Sequence, residues 1–190
     1  LVLATQNPIE TEGTYALPEA QVDRFMLKVL VGYPSPTEEF VIVERMTGAW
    51  TEVQKVLTTD QLVELQKKTD QVYVDPALIE YAVKMVGATR NPKDVGLGDI
   101  QHYIMFGASP RASINLILTA KALAFVRGRA YVLPQDVLDM AMDVIRHRLV
   151  LSYEALSDNI SSDDILKKIF DRIPLPVVPL HEHFNVHANA

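Results

Sequence analysis

The chain has 190 residues, a length that holds one full-sized domain or two small ones. Apolar residues make up 48% of it and charged residues 22%, which excludes bulk disorder. With 18 basic and 24 acidic side chains the net charge is −6, which disfavours sequence-independent binding to DNA or to an anionic membrane surface.

Cysteine is absent, which excludes disulfides, thiolate metal sites and cysteine nucleophiles and fits a reducing compartment. No apolar run approaches the roughly 18 residues that a transmembrane helix needs. Residues 1–5 lack both a basic segment and a long apolar stretch, so they are no signal peptide. We therefore expect a cytoplasmic protein without a membrane span.

The start of the chain carries the pattern of a sheet. Residues 1–4, LVLA, form an apolar run typical of a strand buried on both faces. Residues 25–31 are a second strand candidate, after a short helix predicted over residues 17–24. Two strands and one helix cannot form a doubly wound sheet, so we expect the C-terminal remnant of an α/β core, belonging to a longer protein.

From Pro34 onward the pattern changes to helices. Capping residues and first-turn prolines mark where the helices begin, and the last one is expected to end near Arg172. The sequence thus predicts a mainly α protein, in which the α/β remnant is followed by an all-helical domain. Helix starts are predicted at Thr58, Asp75, Ser109, Pro134, and Ser161 or Ser162.

Arg111 lies at an unusual place for a cation. It follows the predicted cap Ser109 by two residues, in the first turn of a helix, where the helix dipole disfavours a cation by a few tenths of a kcal/mol to about 1 kcal/mol. The free backbone N–H groups of that turn attract anions, phosphate especially, and an arginine beside them makes a doubly positive site. The alternative is an arginine in solvent or paired with a carboxylate such as Asp99.

Residues 5–8, TQNP, place polar side chains at the carboxyl end of the first predicted strand. Ligands collect at that edge in open α/β sheets. The amide of Asn7 both donates and accepts hydrogen bonds, so it could orient a water or contact a phosphate oxygen. The alternative is that Asn7 and Pro8 simply form a turn.

Arg24 lies where the short helix meets the second predicted strand. Within the chain it could pair with Glu19 or Asp23. It could equally project into a neighbouring subunit, where a planar guanidinium suits phosphate.

Several catalytic patterns are missing from the sequence. It contains no phosphate-cradling G-x-x-x-x-G-K-[ST] loop, no apolar strand ending in paired acids for Mg²⁺, no G-x-S-x-G elbow and no H-E-x-x-H helix. His181, His183 and His187 have a spacing that a metal could use, but they lie in a proline-rich tail, so we expect a disordered or docked tail and no metal site. His147 closes a predicted helix and is expected to cap its carbonyls.

Two groups of segments carry a resemblance to a known family. The first group is ATQNPIE (4–10), EGTY (12–15) and LPEAQVDRF (17–25), and the second is GASPRA (107–112), GRAYV (128–132) and PQDV (134–137). They resemble the second half of the ATPase core and the lid of the MoxR family, which belongs to the AAA+ ATPases. The resemblance extends from residue 1 to about Pro176, and Ala16 departs from it where the family usually has proline.

The resemblance implies roles for three positions. Asn7 corresponds to sensor 1, which helps to position the attacking water near the γ-phosphate. Arg24 corresponds to the arginine finger, which reaches into the nucleotide site of the adjacent subunit. Arg111 corresponds to sensor 2, where the lid helix contacts the phosphates of its own subunit's nucleotide. All three would stabilise charge or position groups in phosphoryl transfer.

The resemblance also implies an organisation of the chain. Residues 1–35 would be the remnant of the AAA+ core, residues 36–176 the helical lid and residues 177–190 a tail. A hinge is expected over residues 33–36, because two prolines leave this linker few conformations. The family's phosphate-binding loop and Mg²⁺-holding acids should lie upstream of Leu1, so ATP and Mg²⁺ are expected in the parent protein and the chain alone is predicted to be inactive.

Family membership implies rings, usually hexamers, that couple ATP binding and hydrolysis to chaperone-like remodelling or maturation of client proteins, often ones with a von Willebrand A domain. Two other classes stay open. One is a non-catalytic helical interaction module. The other is a DNA-handling or chelatase-type AAA+ relative, since those groups also use an Asp-Arg-Phe finger, although the net charge of −6 disfavours DNA.

Overall fold

The computed structural model describes residues 2–6, 17–49 and 52–178 of the chain, and helices dominate these ranges. The predicted mainly α class is therefore confirmed, and each predicted helix start from Thr58 onward is followed by a helix. The helices are α1 (Glu19–Val22), α2 (Pro36–Thr47), α3 (Thr59–Asp70), α4 (Pro76–Arg90), α5 (Pro110–Val126), α6 (Pro134–Ile145), α7 (Tyr153–Ser157) and α8 (Ser162–Arg172). Short 3₁₀ turns are Pro92–Val95, Gly98–Tyr103 and Arg146–Arg148.

Side-chain caps fix the beginnings of these helices. At α3 the Thr58 hydroxyl accepts from the Gln61 N–H at 3.1 Å, and the Gln61 side chain accepts from the Thr58 N–H at 2.8 Å. Asp75 caps α4, Ser109 caps α5, and Ser161 caps α8. Each cap satisfies a backbone donor that the first helical turn leaves unpaired, which explains why sequence spacing located these helices.

The core lies among α4, α5, α6 and α8. These helices bring their apolar faces together, and burying each large apolar side chain contributes about 1.5–3 kcal/mol. The fully buried side chains include Leu78 and Met85 of α4, Leu116 of α5, Val137 and Ile145 of α6, and Ile165, Leu166 and Ile169 of α8.

Two backbone pairings were not predicted. β1 (Ile104–Phe106) pairs antiparallel with β2 (Val150–Leu151), so the helical region contains a two-stranded sheet. Tyr73 forms a parallel bridge with Tyr131, in which the Tyr73 N–H donates to the carbonyl of Ala130 at 2.9 Å. This bridge ties the segment before α4 to the segment before α6.

The two strands predicted near the start are not formed in the described residues. Residues 2–4 and 25–31 are irregular, and Val31 is 91% exposed. A strand needs a neighbouring strand to satisfy its backbone groups, and no described segment pairs with either one. The backbone after α1 instead docks on the helical region, where the Lys28 N–H donates to the carbonyl of Asp143 at 2.8 Å.

Helix α2 is separate from the core. It begins with a capping box between Ser35 and Glu38 and contains no buried residue. Phe40 and Met46 are 69% and 70% exposed. In the parts of the chain that the structure describes, no helix combines the length and apolar character needed to cross a membrane.

Candidate functional site

The first turn of α5 has the geometry that the sequence predicts. The Ser109 hydroxyl accepts from the Arg111 N–H at 3.3 Å, and Pro110 begins the helix. The Arg111 side chain is 46% exposed, so its guanidinium lies at the surface beside the positive end of the helix dipole.

Asp23 is the acidic partner of Arg111. A guanidinium nitrogen of Arg111 lies 2.8 Å from a carboxylate oxygen of Asp23, 88 residues away in sequence. The carboxylate pairing that the sequence left open as the alternative for Arg111 is therefore present, with Asp23 as the partner in place of Asp99. Sequence spacing could not identify Asp23, since the contact joins α5 to the segment that follows α1.

The Asp23 carboxylate accepts from two further side chains. The Ser109 hydroxyl lies 3.1 Å and 3.2 Å from its two oxygens, and Nε of Arg148 lies 3.1 Å from one of them. Asp23 thus connects the cap of α5 with the 3₁₀ turn that follows α6. The carboxylate carries one negative charge between Arg111 and Arg148, so the local cluster stays positive.

Arg148 is a buried arginine that the sequence analysis did not single out. Its side chain is fully buried, and its guanidinium donates to the carbonyls of Asp23 at 3.1 Å and Met26 at 3.3 Å, and also to those of Phe25 and Val144. Burial lowers the pKa of Arg148, and the charge of Asp23 opposes that shift. Arginine is the most basic side chain, so Arg148 stays charged at neutral pH in spite of this lowering.

Residues 23–26, called here the Arg24 turn, are held by a second side chain as well. Nε2 of His147 lies 3.0 Å from the carbonyl oxygen of Phe25, which can only accept, so Nε2 carries the proton. His147 thus contacts another segment, and the prediction that it caps its own helix is wrong. Arg146 and Arg148 cap it instead, through the carbonyls of Met142 and Val144.

Arg24 lies at the surface of this turn. Its backbone N–H donates to the carbonyl of Gln21 at 3.1 Å, and its side chain forms no ion pair or hydrogen bond with the residues that the structure describes. Asp23, one of its two predicted partners, is engaged by Arg111 and Arg148.

Asn7 and the tail histidines lie outside the described residues, so the structure does not locate the predicted sensor 1 position. The same holds for His181, His183 and His187. Of the three predicted site residues, the structure therefore relates Arg24 to Arg111, through their common neighbour Asp23.

A second charged cluster lies at the start of α6. Asp136 is fully buried and accepts from Arg127 at 2.8 Å, from Arg129 at 2.6 Å and 2.7 Å, and from the Leu133 N–H at 2.8 Å. Burial alone would raise the pKa of Asp136, but the hydrogen bonds from Arg129, Leu133 and Arg127 lower it below its ordinary value. These side chains satisfy one another, which makes the cluster structural.

Two protein-family models match parts of this chain. Residues 99–169 match the AAA lid domain, and residues 1–27 match the ATPase family associated with various cellular activities (AAA). The lid match contains Arg111 and Arg148, and the ATPase match contains Arg24. The fold and the site therefore define an AAA+ protein with a helical lid.

Individual relatives narrow the class. The chain is 49% identical over 178 residues to Chaperone MoxR1 of Mycobacterium tuberculosis, covering 94% of this chain and 47% of that protein. It is 33% identical to Protein MoxR of Paracoccus denitrificans, covering 92% and 56%. The chain belongs to the MoxR family of AAA+ proteins. It spans about half the length of these relatives.

A solved structure shares the fold. The crystal structure of a candidate ATPase from Cytophaga hutchinsonii superimposes with a TM-score of 0.86 at 40% sequence identity, covering 90% of this chain and 53% of that one. The likeness extends over nearly the whole chain.

Proposed function

We propose that the full-length protein carrying this chain is a MoxR-type AAA+ ATPase that couples ATP binding and hydrolysis to the remodelling or maturation of partner proteins. The ion pair between Arg111 and Asp23 carries the proposal, because it brings the first turn of α5 next to the turn that bears Arg24. The segment that carries the proposed finger is thus attached to the helix that carries the proposed sensor, so the arginines that act on two adjacent nucleotides are held in a fixed relation within one subunit.

Each of the three family positions has a distinct role in this proposal. Arg111 binds the phosphates of its own subunit's nucleotide, aided by the dipole of α5. Arg24 reaches the nucleotide of the adjacent subunit, where it stabilises the charge of the transferring phosphoryl group. Asn7 orients the attacking water. Its amide suits this role because it can donate and accept at once.

The donor sets of the described residues fit a phosphate and do not provide a magnesium site. Arg111 is half-exposed at a helix N-terminus, which suits an anion. Within the described ranges no group of three His, Asp or Glu side chains could hold a metal ion. We propose that Mg²⁺, which neutralises phosphate charge in phosphoryl transfer, is held in the full-length protein by acids of the ATPase core.

Assembly follows from the role of Arg24. A finger that acts on a neighbour requires head-to-tail contacts between subunits, which close into a ring, and we propose the hexamer usual for the family. We retain the division into core remnant (1–35), lid (36–176) and tail (177–190), with the hinge at residues 33–36. The client is proposed to be a protein with a von Willebrand A domain, and the site of action the cytoplasm.

Substitution of each arginine in the full-length protein tests the proposal. We expect Arg24→Ala to reduce ATP turnover by about 10³-fold or more while nucleotide binding persists, since trans arginine fingers contribute about 10³–10⁵. Arg111→Ala should weaken nucleotide binding as well as turnover. The measurements are phosphate release and binding of a fluorescent ATP analogue.

Arg45→Ala provides a matched control, because Arg45 is an exposed arginine of α2. It removes the same charge and should leave turnover unchanged. Wild-type turnover in both the Arg24 and Arg111 variants would overturn the proposed roles and would favour the helical interaction module.

A further inference from the structure

We propose that Arg148 is a positioning residue for Arg24: it holds the Arg24 turn on the lid and so sets the direction in which Arg24 leaves the subunit. This inference rests on the proposed function, because it takes Arg24 as the group that acts on a neighbouring nucleotide. The residue lies in a different part of the chain from the finger, 124 positions later by its number.

The contacts of Arg148 surround Arg24 without including its side chain. On one flank the guanidinium binds both the carboxylate and the carbonyl of Asp23, at 3.1 Å each. On the other flank it binds the carbonyls of Phe25 and Met26. The backbone is thus fixed before and after Arg24, while the Arg24 side chain remains exposed.

Neighbouring contacts reinforce the same attachment. His147 donates to the carbonyl of Phe25 at 3.0 Å, and the Lys28 N–H donates to the carbonyl of Asp143 at 2.8 Å. The groups His147, Asp143 and Arg148 all belong to the end of α6 or the 3₁₀ turn after it. The direction of Arg24 therefore follows the position of its own subunit's α6.

A contribution to the stability of the fold does not by itself explain why position 148 is an arginine. Replacing a buried ion pair by well-packed apolar residues is often neutral or stabilising, because both charges lose their hydration. A planar guanidinium differs from an apolar group, since it fixes several acceptors in one geometry. Here the acceptors on the Arg24 turn are three backbone carbonyls and one carboxylate, so the property that arginine supplies is the shape of this turn.

The first test separates rate from binding in the full-length protein. We expect Arg148→Lys and Arg148→Gln to lower kcat by about 10- to 100-fold, the loss that a misplacement of about 1 Å produces. KM for ATP and ring assembly should change little. Arg172→Lys is the matched control, because Arg172 is an exposed arginine that donates to one carbonyl, that of Val95 at 3.0 Å. A variant that raises KM with unchanged kcat would overturn the inference.

Rings that mix two variants then test whether Arg148 acts through the finger, Arg24, or through the nucleotide site that contains Arg111. A subunit with Arg24→Ala lacks the finger but keeps an intact nucleotide site. A subunit with Arg111→Ala keeps the finger but has a defective nucleotide site. Random 1:1 mixing of these two should restore about a quarter of wild-type turnover, because about one head-to-tail interface in four then receives both arginines intact. Arg148→Gln should complement Arg111→Ala to the same extent and should fail to complement Arg24→Ala. The reverse pattern would overturn the inference.

A third measurement does not depend on ATP turnover, so it remains decisive if the proposed function is wrong. Because the chain contains no cysteine, Arg24→Cys introduces a unique site for a nitroxide spin label. The label should be less mobile in the otherwise unchanged chain than when Arg148→Gln is added, with Arg172→Lys as control. Equal mobility in all three would overturn the inference.

Asp23→Asn guards against a misfolded Arg148 variant. This substitution weakens the same ion pair from the other side, at a side chain that is 23% exposed. Asparagine has nearly the shape of aspartate but lacks the charge that pairs with Arg148. A native circular dichroism spectrum with a mobile label at position 24 is the expected result. An ordered label in this folded variant and in Arg148→Gln would contradict the positioning role.

Discussion

His147 makes the attachment of the Arg24 turn to the end of α6 sensitive to pH. Its Nε2 donates to the carbonyl of Phe25, whereas its Nδ1 is buried without a hydrogen-bond partner among the described residues. Burial lowers the pKa of His147 below its ordinary value of 6.5, and the charges of Arg148 and Lys28 lower it further. The hydrogen bond to Phe25 and the charge of Asp23 act in the opposite direction.

The sign of the resulting pH dependence follows directly. The unfolded chain takes up a proton on this histidine near pH 6.5, whereas the folded chain takes it up only at lower pH. Stability is therefore fully present above about pH 6.5 and falls as the pH drops through the lowered pKa of the folded state. We expect the urea midpoint of the chain to fall more between pH 7.5 and pH 5.5 in the wild type than in His147→Gln.

The glutamine variant is a suitable comparison because its amide N–H can still donate to the carbonyl of Phe25. The other histidines are common to both proteins, so their effect cancels in the difference. An equal loss of stability in the two proteins would show that His147 does not titrate as its burial requires.

At the residue scale, the sequence predicted local features and missed distant ones. The cap Ser109 and the first-turn position of Arg111 follow from spacing within six residues. The contact of Arg148 with Asp23 joins residues 125 positions apart, and no periodicity in either segment reports it. A helix end rich in basic residues was the one available signal, and dipole capping explains it equally well.

At the element scale, the connection between β1 and α5 depends on a close backbone approach. A Cβ at Gly107 would lie 2.5 Å from the carbonyl oxygen of Thr89, near the end of α4. The next residue is fixed there too, since the N–H of Ala108 donates to the Thr89 hydroxyl at 2.9 Å. The start of α5, and with it Arg111, is thus placed against the end of α4.

Gly107→Ala should therefore destabilise the chain by about 1–3 kcal/mol, the usual cost of an added group where packing is already tight. Urea unfolding followed by circular dichroism measures this change. The matched control is Gly32→Ala, because nothing lies within 4 Å of a Cβ at Gly32. Similar unfolding midpoints for the two variants would argue against the close approach.

Helices and strands differed in how well the sequence predicted them. Capping residues define a helix within a few positions, so α3, α4, α5 and α8 begin as expected. A strand depends on a partner, so the apolar runs at residues 1–4 and 25–31 carried no guarantee of a sheet. The small sheet of β1 and β2 is too short to produce a recognisable alternation.

At the scale of the whole molecule, the packed core and helix α2 lie in different parts of the chain. The core is built from α4, α5, α6 and α8, whereas α2 contains no buried residue. The mainly α class could be predicted because it depends on many local signals that agree. The position of α2 relative to the core could not be predicted, because an amphipathic sequence does not show which surface the apolar face of the helix packs against.

The chain alone is expected to show no ATP turnover. Its 190 residues contain no G-x-x-x-x-G-K-[ST] loop, and backbone N–H groups of such a loop are what hold the phosphates of a nucleotide. Phosphate release in the presence of ATP and Mg²⁺ should match the protein-free rate. Turnover that survives repurification and disappears in Arg111→Ala would contradict this expectation.

The three donors on Asp23 have a consequence for how nucleotide would be admitted. If a phosphate takes Arg111, the carboxylate still keeps the hydroxyl of Ser109 and the buried guanidinium of Arg148. Neither partner is left as an uncompensated charge, so the exchange avoids the penalty of several kcal/mol that breaking an isolated buried pair incurs. Under the proposed role, Arg111 can therefore exchange Asp23 for a phosphate while the rest of the cluster stays paired.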